Sequence, residues 1–260
     1  MIFTTIVCIL AGLGAGFGTG FAGISAATVI SPMLIGLLGI SPYQAIGIAL
    51  LSDVLASAST ARTYAKAGNI DIKGGLLMMV TVLIMTAVGS LVAVNVPDNA
   101  MGYFATIMTT ILGLKFFISP VRNTEYKIKE KSRQRRIAET LICGIYIGFV
   151  CGFIGAGGGL MMLFVLTAII GYNLKKAIGT SVFIMTFTAL TGGISHIISG
   201  GIPDLFVLIE CSAVTLVAAR GSADIANHIP NETLNRATGT ILVIVGVSMT
   251  ALKVARNCWL

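Results

Sequence analysis

Long apolar stretches, interrupted by short polar or glycine-rich ones, run along the entire chain. Two of them, 74–94 and 100–119, each offer about 20 residues without an acidic side chain, enough to cross a bilayer core of about 30 Å. Ten such segments can be drawn, five on each side of a basic stretch: 2–22, 24–39, 43–65, 74–94, 100–119, 137–154, 156–171, 175–199, 203–219 and 235–255. The pattern predicts an all-α, multi-pass membrane protein with about eight to ten membrane segments. Whether the short second segment of each half crosses the membrane is left open.

The two halves of the chain repeat each other. Shifted by 132 positions, the first half lies on the second without gaps from Gly12 to Ile72. Glycine falls on glycine at seven positions: Gly12 on Gly144, Gly16 on Gly148, Gly20 on Gly152, Gly23 on Gly155, Gly39 on Gly171, Gly47 on Gly179 and Gly68 on Gly200. Internal repeats of this kind are common in secondary transporters. We therefore predict a first transmembrane repeat at 1–120, a basic cytoplasmic linker at 121–136 and a second transmembrane repeat at 137–260.

The distribution of basic residues predicts how the segments are oriented. Seven of them crowd the linker: Arg122, Lys127, Lys129, Lys131, Arg133, Arg135 and Arg136. Cytoplasmic loops carry such an excess of Lys and Arg. By the same rule 62–73, 172–176 and 220–236 face the cytoplasm, whereas 95–99 and 199–204, which have neither residue, face outside. Equivalent loops then lie on opposite sides, which predicts an inverted repeat.

The composition is that of a membrane protein and argues against a nucleic acid, a metal or a cofactor as a partner. Only 10% of the residues are charged and 56% are hydrophobic, against about 25% charged residues in a typical soluble domain. The net charge is +7, but the basic residues are not interleaved with aromatic ones and do not form a basic nucleic-acid-binding fold. We therefore expect the protein to interact with the lipid bilayer and not with a nucleic acid. The five cysteines show no C-x-x-C spacing, and neither a metal nor a cofactor is expected. A homo-oligomer is left open.

A glycine-rich break separates the first two segments of each half, at 20–28 and at 152–159. Glycine lets a ligand approach the backbone closely, and a helix that begins there presents unpaired N–H groups to an anion. Paired breaks of this kind indicate the binding site of a transporter. The candidate substrate-binding residues are Gly23, Ser25, Thr28, Gly155, Ala156, Gly157, Gly158, Gly159, Thr180 and Ser181. The alternative, close helix packing, stays open for the break glycines and is favoured for Gly12, Gly16, Gly144 and Gly148.

Two carboxylates lie within apolar segments, Asp53 near mid-membrane and Glu210 seven residues from Pro203. Intramembrane carboxylates are costly and often functional, so both are candidates for proton coupling or gating; a hydrogen-bonded packing role is the alternative. His196, near a segment end, is expected to be an interfacial histidine. We also expect Gly157→Val and Gly158→Val to abolish transport and Gly148→Ala to be mild.

The glycine-rich break at 152–159 is followed by the stretch 174–181 (LKKAIGTS), and the first half has the same layout through Pro32 and Ala45. Through these residues the sequence resembles, along essentially its whole length, the TauE/SafE sulfite exporter family of multi-pass permeases. The resemblance implies movement of sulfite, an organosulfonate or a related small anion across the prokaryotic plasma membrane. The first half departs from the family pattern with Ser-Ala-Ala at 25–27, and Phe164 stands where the first half has Pro32.

These observations favour a secondary transporter of a small anion over an enzyme. The chain has no H-E-x-x-H, no Gly-x-Ser-x-Gly and no Walker A motif. An intramembrane enzyme and a passive anion channel remain the alternatives. The anion, the direction of transport, the coupling ion and any role of protons are left open by the sequence.

Overall fold

The computed structural model describes residues 1–93, 133–154, 158–200, 203–234, 236–238 and 240–241. The predicted segment 100–119, the loop 95–99 and most of 121–136 and 235–255 lie outside these residues. Every regular element in the described part is a helix. The prediction of an all-α multi-pass protein is therefore confirmed; the division into repeats at 1–120 and 137–260 stays a prediction.

Eight helices with complete bounds lie close to the predicted segments, and the described residues at 231–234, 236–238 and 240–241 are helical as well. The eight helices are α1 (Ile2–Ala22), α2 (Ala27–Leu38), α3 (Pro42–Lys66), α4 (Ile72–Ala93), α5 (Arg133–Ile154), α6 (Gly158–Phe164), α7 (Leu174–Gly200) and α8 (Leu205–His228), and a π-helix (Val165–Ile170) continues α6. The main correction concerns the segment predicted at 203–219. Its helix α8 runs nine residues further, so Arg220 lies within a helix and not at the start of a loop.

Five of the helices are long and apolar enough to cross a membrane. They are the stretches Ile2–Ala22, Pro42–Lys66, Ile72–Val92, Leu174–Ile198 and Leu205–His228. Helix α2 has 12 residues and therefore spans only about 18 Å, well short of a hydrocarbon core of about 30 Å. Helix α2 thus enters the core of the fold without being able to cross the bilayer by itself.

Helix boundaries in the two halves are set by matching residues. Asp71 and Asp204, 133 positions apart, each accept a hydrogen bond from a backbone N–H in the first turn of α4 or α8 (3.0 and 2.9 Å). Gly39 (φ 66°) and Gly171 (φ 89°), 132 positions apart, end the second helices in the left-handed conformation that glycine adopts without strain. The repeat seen in the sequence is thus visible in local structure.

The second helices of both halves depart from regular α-helix at equivalent places. Helix α2 contains Pro32, which has no N–H to donate. In the second half Phe164 occupies that position, and the chain widens into the π-helix from the next residue onward. Single π-turns are frequent at functional sites, and both departures lie close behind the glycine-rich breaks.

Helix α1 packs on α8 through a face of glycines. A Cβ added to Gly12 would lie 3.3 Å from the carbonyl oxygen of Cys211, and one added to Gly16 would lie 2.7 Å from that of Thr215. Small residues let the two backbones come this close, as is usual for helix pairs in membranes. The packing interpretation of these glycines agrees with the contacts.

Helices α5 and α4 form the equivalent pair. Added Cβ atoms on Gly144 and Gly148 would meet the carbonyl oxygens of Met78 and Val82, which are the positions 133 residues before Cys211 and Thr215. Because a methyl group on Gly148 would also lie 2.8 Å from the Cα of Val82, we expect Gly148→Ala to lower stability. The partner is backbone and cannot rotate away. That its effect on transport is mild by comparison with Gly157→Val and Gly158→Val stays a prediction.

Equivalent helices of the two halves run in opposite directions. The third helices α3 and α7 are antiparallel, since Gly47 lies against His196 and Gly179 against Tyr64. Helix α1 runs parallel to α8, and α8 runs parallel to α3. In the same way, α5 runs parallel to α4, and α4 runs parallel to α7. This is the arrangement that an inverted repeat requires; the side of the membrane that each loop faces stays a prediction.

The segments predicted to be cytoplasmic meet at one end of the bundle. Lys176 lies 4.0 Å from Asp71, Lys175 donates to the carbonyl oxygen of Asn227 at 2.8 Å, and Asn69 donates to the side chain of Asn227 at 2.9 Å. The stretches 62–73, 172–176 and the end of α8 are therefore neighbours, as their shared basic character leads one to expect.

Candidate functional site

The two glycine-rich breaks face each other in the middle of the fold. Gly23 ends α1 in the left-handed conformation (φ 61°) and turns the chain into the first break. A Cβ added to Gly159, in the first turn of α6, would lie 2.6 Å from the nitrogen of Ser25 and 2.9 Å from the oxygen of Gly23. Backbone from one half thus touches backbone from the other, and only glycine at 159 permits this contact.

Asp53 lies under the first break and is held there by two hydroxyl groups. Ser25 donates to its Oδ2 at 2.6 Å and Ser57 to its Oδ1 at 2.8 Å. The carboxyl group is 1% exposed, and its described hydrogen-bond partners include no Lys or Arg. Ser25 also accepts a hydrogen bond from the N–H of Ala27 at 3.3 Å, which connects Asp53 to the start of α2.

The remaining hydroxyl candidates divide between two places. Ser181 on α7 donates to the carbonyl oxygen of Gly23 at 3.4 Å and to that of Ile178 at 2.8 Å, so it lies at the first break. Thr28 is fully buried in the first turn of α2. Thr180 accepts a hydrogen bond from the N–H of Asp71 at 3.0 Å and therefore belongs to the contact with the α3–α4 loop.

The second carboxylate candidate does not join the first. Glu210 accepts a hydrogen bond from Thr5 at 3.1 Å, across the interface between α1 and α8. Its other oxygen, Oε2, is buried and has no hydrogen-bond partner among the described residues. Of the two carboxylates, the described contacts place Asp53 alone at the first break.

The second break is described at 152–154 and at Gly158 and Gly159. Gly155, Ala156 and Gly157 lie outside the described residues. Gly158 is described, and a Cβ added to it would lie 2.9 Å from the Cβ of Cys151 in α5. A bulky residue at 158 would therefore collide with α5 as well as with any ligand, so Gly158→Val does not separate a packing role from a binding role.

Sequence reasoning missed several members of this region. Ser57 is four residues after Asp53, a spacing that puts both on one face of α3 and that would have suggested the pair. Tyr64 is buried and donates to the carbonyl oxygen of Gly20 at 2.9 Å, a contact without a sequence signal. His196 was expected at the membrane interface but is 2% exposed, with its ring 4.2 Å from that of Tyr43.

No group of three His, Cys, Asp or Glu side chains suited to a metal ion occurs among the residues that the structure describes. The polar groups gathered at the first break are hydroxyls, backbone amides and one carboxyl group. Such a set can bind an oxyanion through hydrogen bonds and can exchange a proton at the carboxyl group.

Comparison with known proteins agrees with this architecture. The family described as the sulfite exporter TauE/SafE matches residues 8–249. The probable membrane transporter protein YunE of Bacillus subtilis is 26% identical, with 94% of this chain and 96% of YunE covered. A probable membrane transporter protein of Haemophilus influenzae is 25% identical, covering 95% of this chain and 99% of that protein. No solved structure matches the chain significantly.

The family match covers nearly the whole chain, including both breaks and the Asp53 region. Together with the five apolar helices, it identifies a multi-pass transporter of the prokaryotic plasma membrane. The chain belongs to the TauE/SafE sulfite exporter family.

Proposed function

We propose that this protein is a secondary transporter of a small oxyanion such as sulfite or an organosulfonate, which it binds where the two breaks meet. The observation that carries the proposal is the contact of Gly159 with the backbone of Ser25 and Gly23. The irregular backbone of the first break is buried against the first turn of α6, which belongs to the other half of the chain. Irregular backbone at this depth is tolerated where it lines a site or is packed in protein.

The anion is held by hydrogen bonds and not by a basic side chain. Within the described part of the chain, the N–H of Ser25 donates no hydrogen bond, which leaves it available for a ligand. The hydroxyl groups of Ser25 and Ser181 lie beside it. Each hydrogen bond to a charged group contributes about 1.5–3 kcal/mol, so three or four offset much of the cost of dehydrating a small anion.

A proton at Asp53 makes the site compatible with an anion. An ionised carboxylate repels an oxyanion bound a few ångströms away and also engages the hydroxyl of Ser25 at 2.6 Å. Protonation removes the charge and frees the Ser25 hydroxyl to donate to the anion instead. Anion and proton then bind together, which is proton-coupled transport.

The antiparallel halves provide a route to alternating access. Helices α3 and α7 cross the centre in opposite directions and carry Asp53 and Ser181 toward the same break. Rocking of one half against the other exposes a fixed central site to each side in turn. In this proposal 1–120 and 137–260 are the two repeats and 121–136 is the cytoplasmic linker.

Counterflow in proteoliposomes tests the proposal. Vesicles containing the purified protein are loaded with unlabelled sulfite or a short organosulfonate and diluted into a trace of the labelled anion. A carrier accumulates the label transiently above its equilibrium level, because the unlabelled anion leaving the vesicle drives exchange. Simple equilibration of the label would indicate a channel, and no movement of any tested sulfur oxyanion or sulfonate would contradict the proposed substrate class.

A further inference from the structure

A second polar site lies away from the breaks, between the C-terminal parts of α3 and α8. It is an open cavity of about 600 Å³. Its charged and imidazole lining residues are Arg62, Lys66, Arg220, Asp224 and His228, and Ser59 and Thr63 contribute hydroxyl groups. Nothing in the transport site described above uses these residues.

The cavity holds more positive than negative charge. Arg62, Lys66 and Arg220 are exposed, and none of them forms an ion pair with a described residue. Asp224 is the single carboxylate in the lining, and within the described part of the chain it forms no ion pair with any of the three cations. Three unpaired cations around one cavity of this size provide a site for a phosphate-sized anion.

Apolar side chains continue the same helix faces toward the middle of the bundle. Leu55 lies seven residues, or two turns, before Arg62 and is 49% exposed; Val217 lies three residues before Arg220 and is 74% exposed. The faces of α3 and α8 that line the basic cavity therefore continue into exposed apolar side chains beside it. A small inorganic anion has no use for these apolar side chains, whereas a phospholipid fits both them and the cavity.

We propose that this cavity binds the headgroup phosphate of an anionic phospholipid, with the acyl chains lying along Leu55 and Val217. The cavity lies at the end of the bundle where the basic stretches meet, which the charge pattern predicts to be cytoplasmic. Basic pockets between transmembrane helices on that side recognise anionic headgroups. Arg62, Lys66 and Arg220 contact the phosphate, and Asp224 opposes its binding.

Lipid titration followed by native mass spectrometry tests this site on the full-length protein purified in detergent. Phosphatidylglycerol is compared with phosphatidylcholine of the same acyl chains. We expect Arg62→Gln and Arg220→Gln each to weaken phosphatidylglycerol binding about five-fold, and the double variant about thirty-fold. Asp224→Asn should strengthen binding, and Lys73→Gln, an exposed cation on α4 outside the cavity, should leave it unchanged.

A parallel titration with inorganic phosphate, read out as a shift in the thermal unfolding midpoint, separates the two sources of a phosphate group. Stabilisation by phosphatidylglycerol that is lost in the double variant and absent with phosphate alone supports the proposal. Equal stabilisation by phosphate would assign the cavity to a soluble phosphate compound and overturn the lipid. Equal phosphatidylglycerol binding by wild type and the double variant would overturn the site itself.

Discussion

Replacing Gly159 by alanine tests whether the two breaks must touch. The added Cβ would lie 2.6 Å from the nitrogen of Ser25, 2.7 Å from the sulfur of Met185 and 2.9 Å from the oxygen of Gly23. Ordinary contact begins at 3.4 Å, so α6 and the first break must separate by about 0.8 Å, the difference between 3.4 and 2.6 Å. Because two of these neighbours are backbone atoms, no change of rotamer relieves the overlap.

The effects on folding and on binding differ in size. Overpacking of this kind costs about 1–3 kcal/mol, whereas the free energy of unfolding is about 5–15 kcal/mol, so the variant folds. For the anion, the methyl group covers the N–H of Ser25, and a shift of about 0.8 Å lengthens a hydrogen bond of about 2.9 Å beyond its useful range. Loss of one hydrogen bond worth about 1.5–3 kcal/mol lowers anion affinity about 10- to 150-fold.

Counterflow of labelled sulfite or sulfonate in proteoliposomes measures the effect, with the unfolding midpoint measured on the same preparation. Two matched glycine variants serve as controls. Gly36→Ala in α2 places its Cβ where no atom lies within 4 Å, so it should behave as wild type. In Gly148→Ala the added methyl group overlaps the backbone of α4 and pushes α5 away from it. This overlap does not involve the described contacts of the first break, so the variant should lower stability without weakening anion binding to the same extent.

The comparison between these variants shows whether Gly159 contributes to anion binding or only to packing. Normal counterflow by folded Gly159→Ala protein would refute the idea that the anion site is formed by contact between the breaks. A loss of transport that simply follows the loss of stability, equal in Gly159→Ala and Gly148→Ala, would also refute it and leave Gly159 as a packing residue.

Three further predictions concern proton coupling and topology. Asp53→Asn should abolish accumulation driven by a pH gradient but spare anion exchange, because the amide keeps the polar contacts with the two serines and cannot exchange a proton; unchanged pH-driven accumulation would exclude Asp53 as the coupling group. Glu210→Gln should leave both activities intact, since Glu210 lies at the interface of α1 and α8. Single cysteines at Lys73 and Phe206, equivalent positions at the starts of α4 and α8, should react with a membrane-impermeant thiol reagent from opposite sides, and labelling of both from one side would contradict the inverted repeat.

Much of the fold could be predicted because it rests on local and periodic signals. Apolar length alone located the helices, since backbone polar groups in lipid must be satisfied within the segment. The glycine spacing located the breaks. The helices that end at Gly39 and Gly171 need glycine there, because the backbone takes the left-handed conformation, which few other residues adopt. These features depend on neighbours close in the chain.

What the sequence did not reveal depends on partners far along the chain. Whether a side chain fits at position 148 depends on the backbone of Val82, which lies 66 residues earlier in the chain. The end of α8 was placed too early because Arg220 reads as a loop residue, whereas Ser222, Ala223 and Ala226 continue a buried face. Thr180 and Ser181 looked alike in sequence, but adjacent positions on a helix point in different directions, so only Ser181 lies at the break.

The pairing of α1 with α8 has a consequence for how the protein is made. Thr5 and Glu210, which meet across this interface, are 205 residues apart, so α1 enters the bilayer long before its partner has been synthesised. During that interval the glycines of α1 that lie against α8 in the folded protein, Gly12, Gly16 and Gly20, face lipid or the insertion machinery. Assembly of this interface therefore waits for α8, and a ribosome that stalls before α8 leaves an incomplete protein in which the glycine face of α1 lacks its partner.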